Sequence, residues 1–322
     1  MEIFFERHPL FILQKACFEQ THEVYMKKKN KSKIEFFAFI VFIKIFKIFP
    51  YNFTRNFVGQ LFQMGGMYLK IRKNVAVRQL KMIFPEKSDT EIKIILKKMY
   101  FNMGITTAEI YFGKNKNLFK KVNTQGWKNL QEAVEMKKGV ILASAHFGNW
   151  QLAGEYIASF YDLSVIIKKQ RNEYFHNYTY TKSIEENVTF IDQKNALRPI
   201  LKLLKKNYII AIMVDQSAGK HGVQTQFLGH LASTYVGAAK ISLKTGCPVV
   251  PAIAFRNEDN SHTFIFDKMI LPDTFTNDSL YIEFISKKLE EYIIKYPEQW
   301  FWVHRRWKGK KKAKKLYRNE DG

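Results

Sequence analysis

Cysteine is scarce in this chain, with only Cys17 and Cys247 among 322 residues. The two lie far apart in sequence, and neither belongs to a C-x-x-C pair. This count argues against a disulfide framework and a thiolate metal site, and it favours a protein of a reducing compartment.

Sequence motifs of several large enzyme classes are also missing. The chain has no G-x-S-x-G nucleophile elbow, no G-x-x-x-x-G-K phosphate loop, no G-x-G-x-x-G dinucleotide fingerprint and no H-E-x-x-H zinc motif. A serine hydrolase, an ATPase, a dinucleotide-dependent enzyme and a zinc protease therefore lose support. We expect an activity that requires no metal ion and no other cofactor.

Acidic residues are few, since 29 Asp and Glu stand against 52 Lys and Arg, which gives a net charge of +23. A protein this basic is attracted to polyanions such as anionic lipid, nucleic acid or an acidic protein. Because no zinc finger, RNP signature or basic zipper is present, we expect no nucleic-acid partner. The 28 phenylalanines favour an apolar ligand or a membrane surface instead.

A long hydrophobic run is absent as well. The apolar stretch FFAFIVFI (36–43) follows a lysine-rich segment (27–33), and Lys44 and Lys47 interrupt its continuation. Crossing a bilayer takes about 20 largely apolar residues, so the pattern predicts an anchor helix over 34–50 that lies in the membrane interface. A single-pass span and an ordinary buried helix remain the alternatives.

The two ends of the chain are predicted to be basic segments outside the folded domain. Residues 1–33 form an extension with a polybasic end, and Met26 is a second candidate for the first residue. Residues 309–322 form a basic tail whose lysines favour contact with anionic lipid. The domain proper is expected over 51–308.

Helical periodicity dominates residues 51–113, where Ser88 and Glu91 form a predicted capping box. From Gly139 onward, short apolar runs alternate with helical stretches. The predicted strands are 140–145, 163–167, 188–191, 208–214 and 247–255, and the predicted helices are 195–206, 235–245 and 279–295. This alternation indicates an α/β fold with a mainly parallel sheet flanked by helices, preceded by the N-terminal membrane-associated helical segment.

Two polar residues follow predicted strands directly. His146 comes after VILASA, and Asp215 comes after YIIAIMV. Ligands of parallel sheets bind at the carboxyl ends of the strands. A histidine at such a position that also opens a helix is placed to act as a base on a bound hydroxyl group. A structural histidine bonded to the backbone is the alternative.

Four sequence blocks occur in a fixed order: RQLKMIFPEKSDTEI (78–92), HFGNW (146–150), a block that begins DQSAGKHGV and ends VVPAIAFR (215–256), and PEQWFWVHRRWK (297–308). Together they resemble the lipid A biosynthesis acyltransferases, the lauroyl and myristoyl transferases of Gram-negative bacteria. The resemblance implies that residues 51–308 are an acyltransferase domain with His146 as the general base.

One position departs from the pattern of that family. The acidic residue that follows the histidine by five positions is Gln151 here, and glutamine cannot supply the charge that would stabilise an imidazolium. Gln151 is expected to hydrogen-bond the imidazole, with Asp215 or Glu155 supplying the carboxylate. A catalytically impaired protein that only binds lipid is the remaining alternative.

The candidate substrate-binding residues surround this centre or carry cationic groups. Backbone N–H groups around Gly148, at a helix N-terminus, are expected to steady the oxyanion. The family tends to carry an arginine between the second and third strands, and this chain offers Lys168, Lys169, Arg171 and Lys182 for that role, among which the sequence does not choose. The full set is Gly148, Asn149, Trp150, Arg171, Lys182, Gln216, Arg305 and Arg306.

The resemblance further implies the reactants and the location. The donor is expected to be acyl carrier protein, or acyl-CoA, and the acceptor a hydroxyl of a lipid A precursor in lipopolysaccharide biosynthesis. The protein is expected at the cytoplasmic face of the inner membrane, in contact with anionic lipid. Acyl transfer to another glycolipid or to a lysophospholipid is the alternative within the same chemistry.

Overall fold

The computed structural model describes residues 30–185 and 188–308, and the predicted tails therefore lie almost entirely outside the described residues. Residues 30–119 contain helices joined by short turns, and strands and helices alternate after them. The helices are α1 (residues 30–46), α2 (Tyr51–Met67), α3 (Lys73–Ile83), α4 (Asp89–Phe112), α5 (Asn115–Phe119), α6 (Trp127–Glu135), α7 (Trp150–Ala158), α8 (Glu173–Glu185), α9 (Leu197–Leu204), α10 (Gly237–Thr245) and α11 (Asp278–Lys295).

The strands are short, and seven of them form one sheet. They are β1 (Val122–Gln125), β2 (Val140–Ser144), β3 (Leu163–Ile167), β4 (Val188–Asp192), β5 (Ile209–Met213), β6 (Val223–Phe227), β7 (His230–Thr234), β8 (Val249–Arg256) and β9 (His262–Phe266). The sheet order is β1-β9-β8-β2-β5-β3-β4, and β6 and β7 pair as a separate hairpin. All neighbouring pairs of the large sheet are parallel except β8 with β9. The predicted mainly parallel α/β sheet is therefore confirmed.

Both faces of the sheet are covered, as the fully apolar strands predict. Along β2, Ile141 and Ala143 belong to one hydrophobic core, and Val140 and Leu142 belong to another. Alternate residues of a strand point to opposite faces, so these two cores lie on the two sides of the sheet. The sheet is therefore a central layer, and its carboxyl edge is where a ligand is expected.

Helix α4 begins at the predicted capping box. The Ser88 side chain accepts from the backbone N–H of Glu91, and the Glu91 carboxylate accepts from the backbone N–H of Ser88. This satisfies two N–H groups that a helix start leaves without partners. Helix α4 then packs along α2 for most of its length.

Helices α1 and α2 expose many large apolar side chains. The first ends near residue 46 rather than at the predicted residue 50, because Pro50 forms the N-terminal cap of α2. Within the described residues, neither of these helices nor any other has the length and apolar character to cross a bilayer. The exposed apolar side chains of this region are Ile34, Phe37, Val41, Ile45, Ile48, Phe49, Phe53, Phe57, Leu61, Met64, Tyr68, Leu69 and Ile71.

Candidate active site

His146 and Asp215 meet at the carboxyl edge of the sheet. Strands β2 and β5 are parallel neighbours, with Ser144 opposite Met213, so the residues that follow them come side by side. The Nδ1 atom of His146 lies 2.9 Å from Oδ1 of Asp215. The backbone N–H of His146 donates to Oδ2 of the same carboxylate, also at 2.9 Å. One carboxylate thus holds His146 through both its imidazole ring and its backbone N–H.

The environment of this pair shifts both pKa values towards the charged forms. Burial alone would lower the pKa of His146, but the negative charge and hydrogen bond of Asp215 outweigh it, and the pKa is raised. Burial likewise opposes ionisation of Asp215, but the contacts with His146 and the Trp300 hydrogen bond lower its pKa. Asp215 is therefore the charged partner of the ring. Of the two carboxylates that the sequence offered, Asp215 and Glu155, the one in contact with the imidazole is Asp215.

The segment 297–308, called the closing segment below, packs against this pair. The indole N–H of Trp300 donates to Oδ2 of Asp215 at 2.8 Å, and Trp300 is buried. The backbone of Phe301 donates to the carbonyl of His146 at 3.2 Å. The structure places Trp300 in the core, where it donates to the Asp215 carboxylate in addition to His146.

Gln151 and Glu155 do not contact the imidazole, which corrects the expectation that they orient it. They lie one turn apart on α7, and the Gln151 amide donates to Oε1 of Glu155 at 3.0 Å. The other carboxylate oxygen of Glu155 accepts from Asn115 at 3.0 Å. This i, i+4 pairing turns the Gln151 amide along the helix, away from a ring whose Nδ1 already contacts Asp215.

The backbone N–H of Gly148 is not available as an oxyanion donor, which corrects a second expectation. It donates to the carbonyl of Gln299 at 2.9 Å. Asn149 is buried, and it caps α7 by accepting from the backbone N–H of Leu152. Neither residue is therefore free to bind substrate through these groups. Both hold the turn between His146 and α7.

Gly148 provides a test of how tightly this turn is held. Its φ is +56°, and a Cβ atom there would lie 1.9 Å from the carbonyl oxygen of Ala254. We expect Gly148→Ala to displace the His146 turn and to reduce both acyl transfer and the melting temperature. Gly229→Ala is the matched control, because its φ is +75° but its Cβ would meet nothing within 4 Å. The control should lose only about 1 to 2 kcal/mol for the left-handed backbone. Equal losses in both variants would contradict a tightly packed turn.

Two cavities meet at His146. The larger, about 270 Å³, lies between α7 and the sheet and is lined mainly by apolar side chains such as Leu142, Val165, Phe190 and Met213. The smaller, about 210 Å³, lies between α4 and the closing segment and is lined by Met99, Met103, Ile110 and Phe301, among others. His146 and Trp150 line both. A group bound in either cavity therefore reaches the imidazole.

The Gln216 side chain contacts Nε2, the second nitrogen of the His146 ring. Its Nε2 atom lies 3.3 Å from Nε2 of His146. With Nδ1–H directed at Asp215, the lone pair on Nε2 of His146 accepts this contact. A substrate hydroxyl would meet the ring at the same place. Gln216 and Trp150 are thus the predicted substrate-binding residues that lie at the reactive edge of the imidazole.

The predicted arginines and lysine have different locations. Arg306 is fully buried, stacks on Phe227 and donates to the carbonyl of Ser233 and the hydroxyl of Thr234. It therefore fixes the β6–β7 hairpin, and the expectation that it binds substrate is wrong. Arg171 is exposed after β3, at the same sheet edge as His146, and its role stays a prediction.

The other two predicted cationic residues are Arg305 and Lys182. Arg305 is partly buried in the closing segment, and it lines neither of the two cavities in the described part of the chain. Lys182 lies on α8, and its side chain falls outside the described residues. Across 30–185 and 188–308, no group of three or more His, Cys, Asp or Glu side chains is arranged to hold a metal ion.

Comparison with known sequences gives the family. The family model for the bacterial lipid A biosynthesis acyltransferases matches residues 26–309. The chain belongs to this family. The chain is therefore an O-acyltransferase of the lipid A biosynthesis type, and the matched range contains His146, Asp215 and Trp300.

Individual relatives agree with this assignment. The lipid A biosynthesis palmitoleoyltransferase of Escherichia coli K12 is 24% identical over 250 residues, which are 76% of this chain and 81% of the relative. The lipid A biosynthesis lauroyltransferase of the same organism is 21% identical over 268 residues, 80% of this chain and 86% of the relative. A phosphatidylinositol mannoside acyltransferase of Mycolicibacterium smegmatis is 23% identical over 185 residues, 56% of this chain and 60% of that protein.

Among solved structures, the acyltransferase for 1-acyl-sn-glycerophosphate (PlsC) of Thermotoga maritima matches with a TM-score of 0.40 and 13% identity. The match covers 72% of this chain and 97% of that structure.

Proposed function

We propose that this acyltransferase moves a fatty acyl group from acyl carrier protein, or from acyl-CoA, to a hydroxyl group of a lipid A precursor. The observation that carries the proposal is the His146–Asp215 pair at the junction of two largely apolar cavities. A base at such a junction can meet a hydroxyl from one side and a thioester carbonyl from the other. The family of the chain and the names of its relatives support the glycolipid acceptor.

In the proposed mechanism, His146 acts as the general base through Nε2. The acceptor hydroxyl displaces the Gln216 amide from Nε2, gives its proton to the ring and attacks the thioester carbonyl. Asp215 fixes the Nδ1–H tautomer and stabilises the imidazolium that forms. Collapse of the tetrahedral intermediate forms the ester and breaks the C–S bond, and the imidazolium returns its proton to the departing thiolate.

The two cavities suggest where the apolar parts of the reactants lie. The larger cavity runs beneath α7 into the core and is lined at its inner side by Val188, Phe264 and Phe266. We assign it to the transferred acyl chain, since apolar walls bury methylene groups at about 0.8 kcal/mol each. The smaller cavity, with Phe62 of α2 in its wall, is assigned to the acceptor.

The oxyanion also needs donors, because the Gly148 N–H is already used. The first turn of α7 follows the His146 turn directly, and the N–H groups of Trp150 and Gln151 have no partner within the helix. We assign the oxyanion to this helix N-terminus, whose dipole favours negative charge.

We further propose that the protein binds the cytoplasmic face of the inner membrane through α1 and α2. Both helices expose large apolar side chains, and Lys31, Lys33, Lys44 and Lys47 lie on or just after α1. An interfacial helix combines an apolar face with lysines that contact anionic headgroups. Sedimentation with vesicles containing 30% phosphatidylglycerol tests this proposal. The double variant Phe37→Asp with Phe53→Asp should no longer sediment with the vesicles. The control variant Phe160→Asp, which changes an exposed phenylalanine just after α7, should still sediment with them.

The donor and acceptor are tested with purified protein and lipid mass spectrometry. Acyl carrier protein is acidic, and it suits a chain with a net charge of +23. We expect a mass gain of one acyl group on a lipid A precursor and none on lysophosphatidic acid, with acyl carrier protein preferred over CoA as carrier. Acylation of lysophosphatidic acid or a phosphatidylinositol mannoside instead would replace the acceptor. No transfer to any of these acceptors would favour a lipid-binding protein without activity.

A further inference from the structure

A buried charged cluster of Glu109, Arg256 and His262 lies next to the His146 turn. Glu109 of α4 is 2% exposed, and its Oε1 atom accepts from Arg256 of β8 and lies 3.2 Å from Nε2 of His262 on β9. Burial would raise the pKa of Glu109, but Arg256 and His262 lower it to about 2. A helix and two strands thus converge on one ionised carboxylate.

The free oxygen of that carboxylate is directed at the active-site turn. Oε2 of Glu109 accepts from the Asn149 side chain at 2.7 Å. The other end of the Asn149 amide accepts from the backbone N–H of Leu152 at 3.0 Å and so caps α7. Asn149 cannot rotate without losing both bonds, and Glu109 therefore fixes the N-terminal cap of α7, three residues after His146.

A second contact runs from the same cluster to the same turn. Arg256 donates to the hydroxyl of Thr106 at 2.8 Å, and that hydroxyl donates to the carbonyl of Gly148 at 3.1 Å. Thr106 and Glu109 lie on one face of α4, three residues apart. Helix α4 thus holds the turn between His146 and α7 at two points, the Gly148 carbonyl and the Asn149 side chain.

We propose that Glu109 is a positioning residue for acyl transfer, acting through Asn149 and Thr106 on the turn that carries His146. Among the described residues, Glu109, Arg256 and His262 line neither cavity, so Glu109 sets the position of the base without touching donor or acceptor, whereas Thr106 also lines the smaller cavity. This inference rests on the proposed function, because it assumes that His146 is the base.

The proposal predicts a specific kinetic signature. Glu109→Gln removes the charge, and Thr106→Val removes the hydroxyl at nearly constant volume. We expect each to lower kcat by about 10- to 100-fold, the scale of a small misplacement of a catalytic group. The KM for the thioester donor and the acidic limb of the pH profile should stay as in the unsubstituted enzyme, because Asp215 still holds the imidazole.

Two further variants separate positioning from stability. Ser242→Ala removes an equally buried hydroxyl, on α10, which bonds the Cys247 carbonyl and Tyr281 far from the turn. It should lower the melting temperature and leave kcat unchanged. Adding Asn149→Asp to Glu109→Gln restores an amide–carboxylate pair with reversed polarity, and aspartate caps a helix as well as asparagine does. This double variant should regain much of the kcat lost in Glu109→Gln.

Hydrogen exchange provides a readout that does not depend on activity. The amide of Leu152 should exchange faster in Glu109→Gln and Thr106→Val but not in Ser242→Ala. The proposal is overturned if kcat survives in Thr106→Val and Glu109→Gln, or if Ser242→Ala loses kcat in proportion to its melting temperature. If the unsubstituted enzyme transfers no acyl group to any acceptor, the proposed function fails. An unchanged exchange rate of the Leu152 amide in Glu109→Gln would overturn the present inference independently of that result.

Discussion

His146→Ala is expected to lower kcat for acyl transfer by about 10²- to 10⁴-fold, the usual contribution of a general base. The imidazole is the group that lines both cavities and has its Nδ1 fixed by a carboxylate, so its removal leaves the acceptor hydroxyl without a base. The KM for the donor should change little, since the acyl chain is bound mainly by the apolar walls. Initial rates with saturating donor measure the effect.

The matched control is His230→Ala, which removes an exposed histidine of the β6–β7 hairpin. This variant should keep the activity of the unsubstituted enzyme. Turnover in His146→Ala within a factor of about three of the control would remove this residue from the mechanism.

Asp215→Asn is expected to have an effect of similar size, about 10²- to 10⁴-fold in kcat. An asparagine can present an N–H to Nδ1 instead of a negative oxygen, which favours the wrong tautomer and no longer stabilises the imidazolium. The side chain is buried and also accepts from Trp300 and from the backbone of His146. A loss of stability therefore accompanies the loss of rate, and circular dichroism on the same samples checks that the protein is folded.

The pH dependence gives a second readout of the same substitution. A general base works as the neutral imidazole, so the rate falls as the pH falls through the pKa of His146. In the unsubstituted enzyme that pKa is raised, and the acidic limb should lie above 6.5. Without the Asp215 charge, burial becomes the dominant influence and lowers the pKa. The acidic limb of Asp215→Asn should therefore move to lower pH.

Glu155→Gln is the control that separates the two candidate carboxylates. Glu155 contacts Gln151 and Asn115 rather than the imidazole, so this change should leave the acidic limb in place and cost far less rate. A shift of the limb in Glu155→Gln, with none in Asp215→Asn, would reverse the assignment.

The central part of the fold could be predicted from the sequence because its signals are local. The apolar runs of β2, β3, β4, β5 and β8 predicted their positions to within a few residues. Strand β1, at one edge of the sheet, was missed for a physical reason. Strand β1 reads VNTQ and is mostly exposed, so it carries neither an apolar run nor a clear alternation. It exists because β9 provides hydrogen-bond partners, and sequence periodicity does not report such partners.

The candidate site was predicted in part for the same reason. The pattern of strands placed His146 and Asp215 at the same edge of the sheet, and the structure shows that their strands are neighbours. The roles of Gln151 and Arg306 were wrong because they depend on side-chain partners elsewhere in the chain. Arg306 lies 72 residues after Thr234, its hydrogen-bond partner. Glu109 was missed altogether, since a single acid in a helix gives no signal that it will lie beneath Asn149.

The closing segment around Trp300 has a consequence for the order of events during synthesis. A ribosome makes the chain from its N-terminus, so α1 and α2 emerge more than two hundred residues before Trp300. The proposed membrane-binding helices are therefore made early, yet the carboxylate of Asp215 lacks its indole partner and the His146 carbonyl its Phe301 partner until the segment around Trp300 has been made. Competence for catalysis therefore waits for the synthesis of that segment.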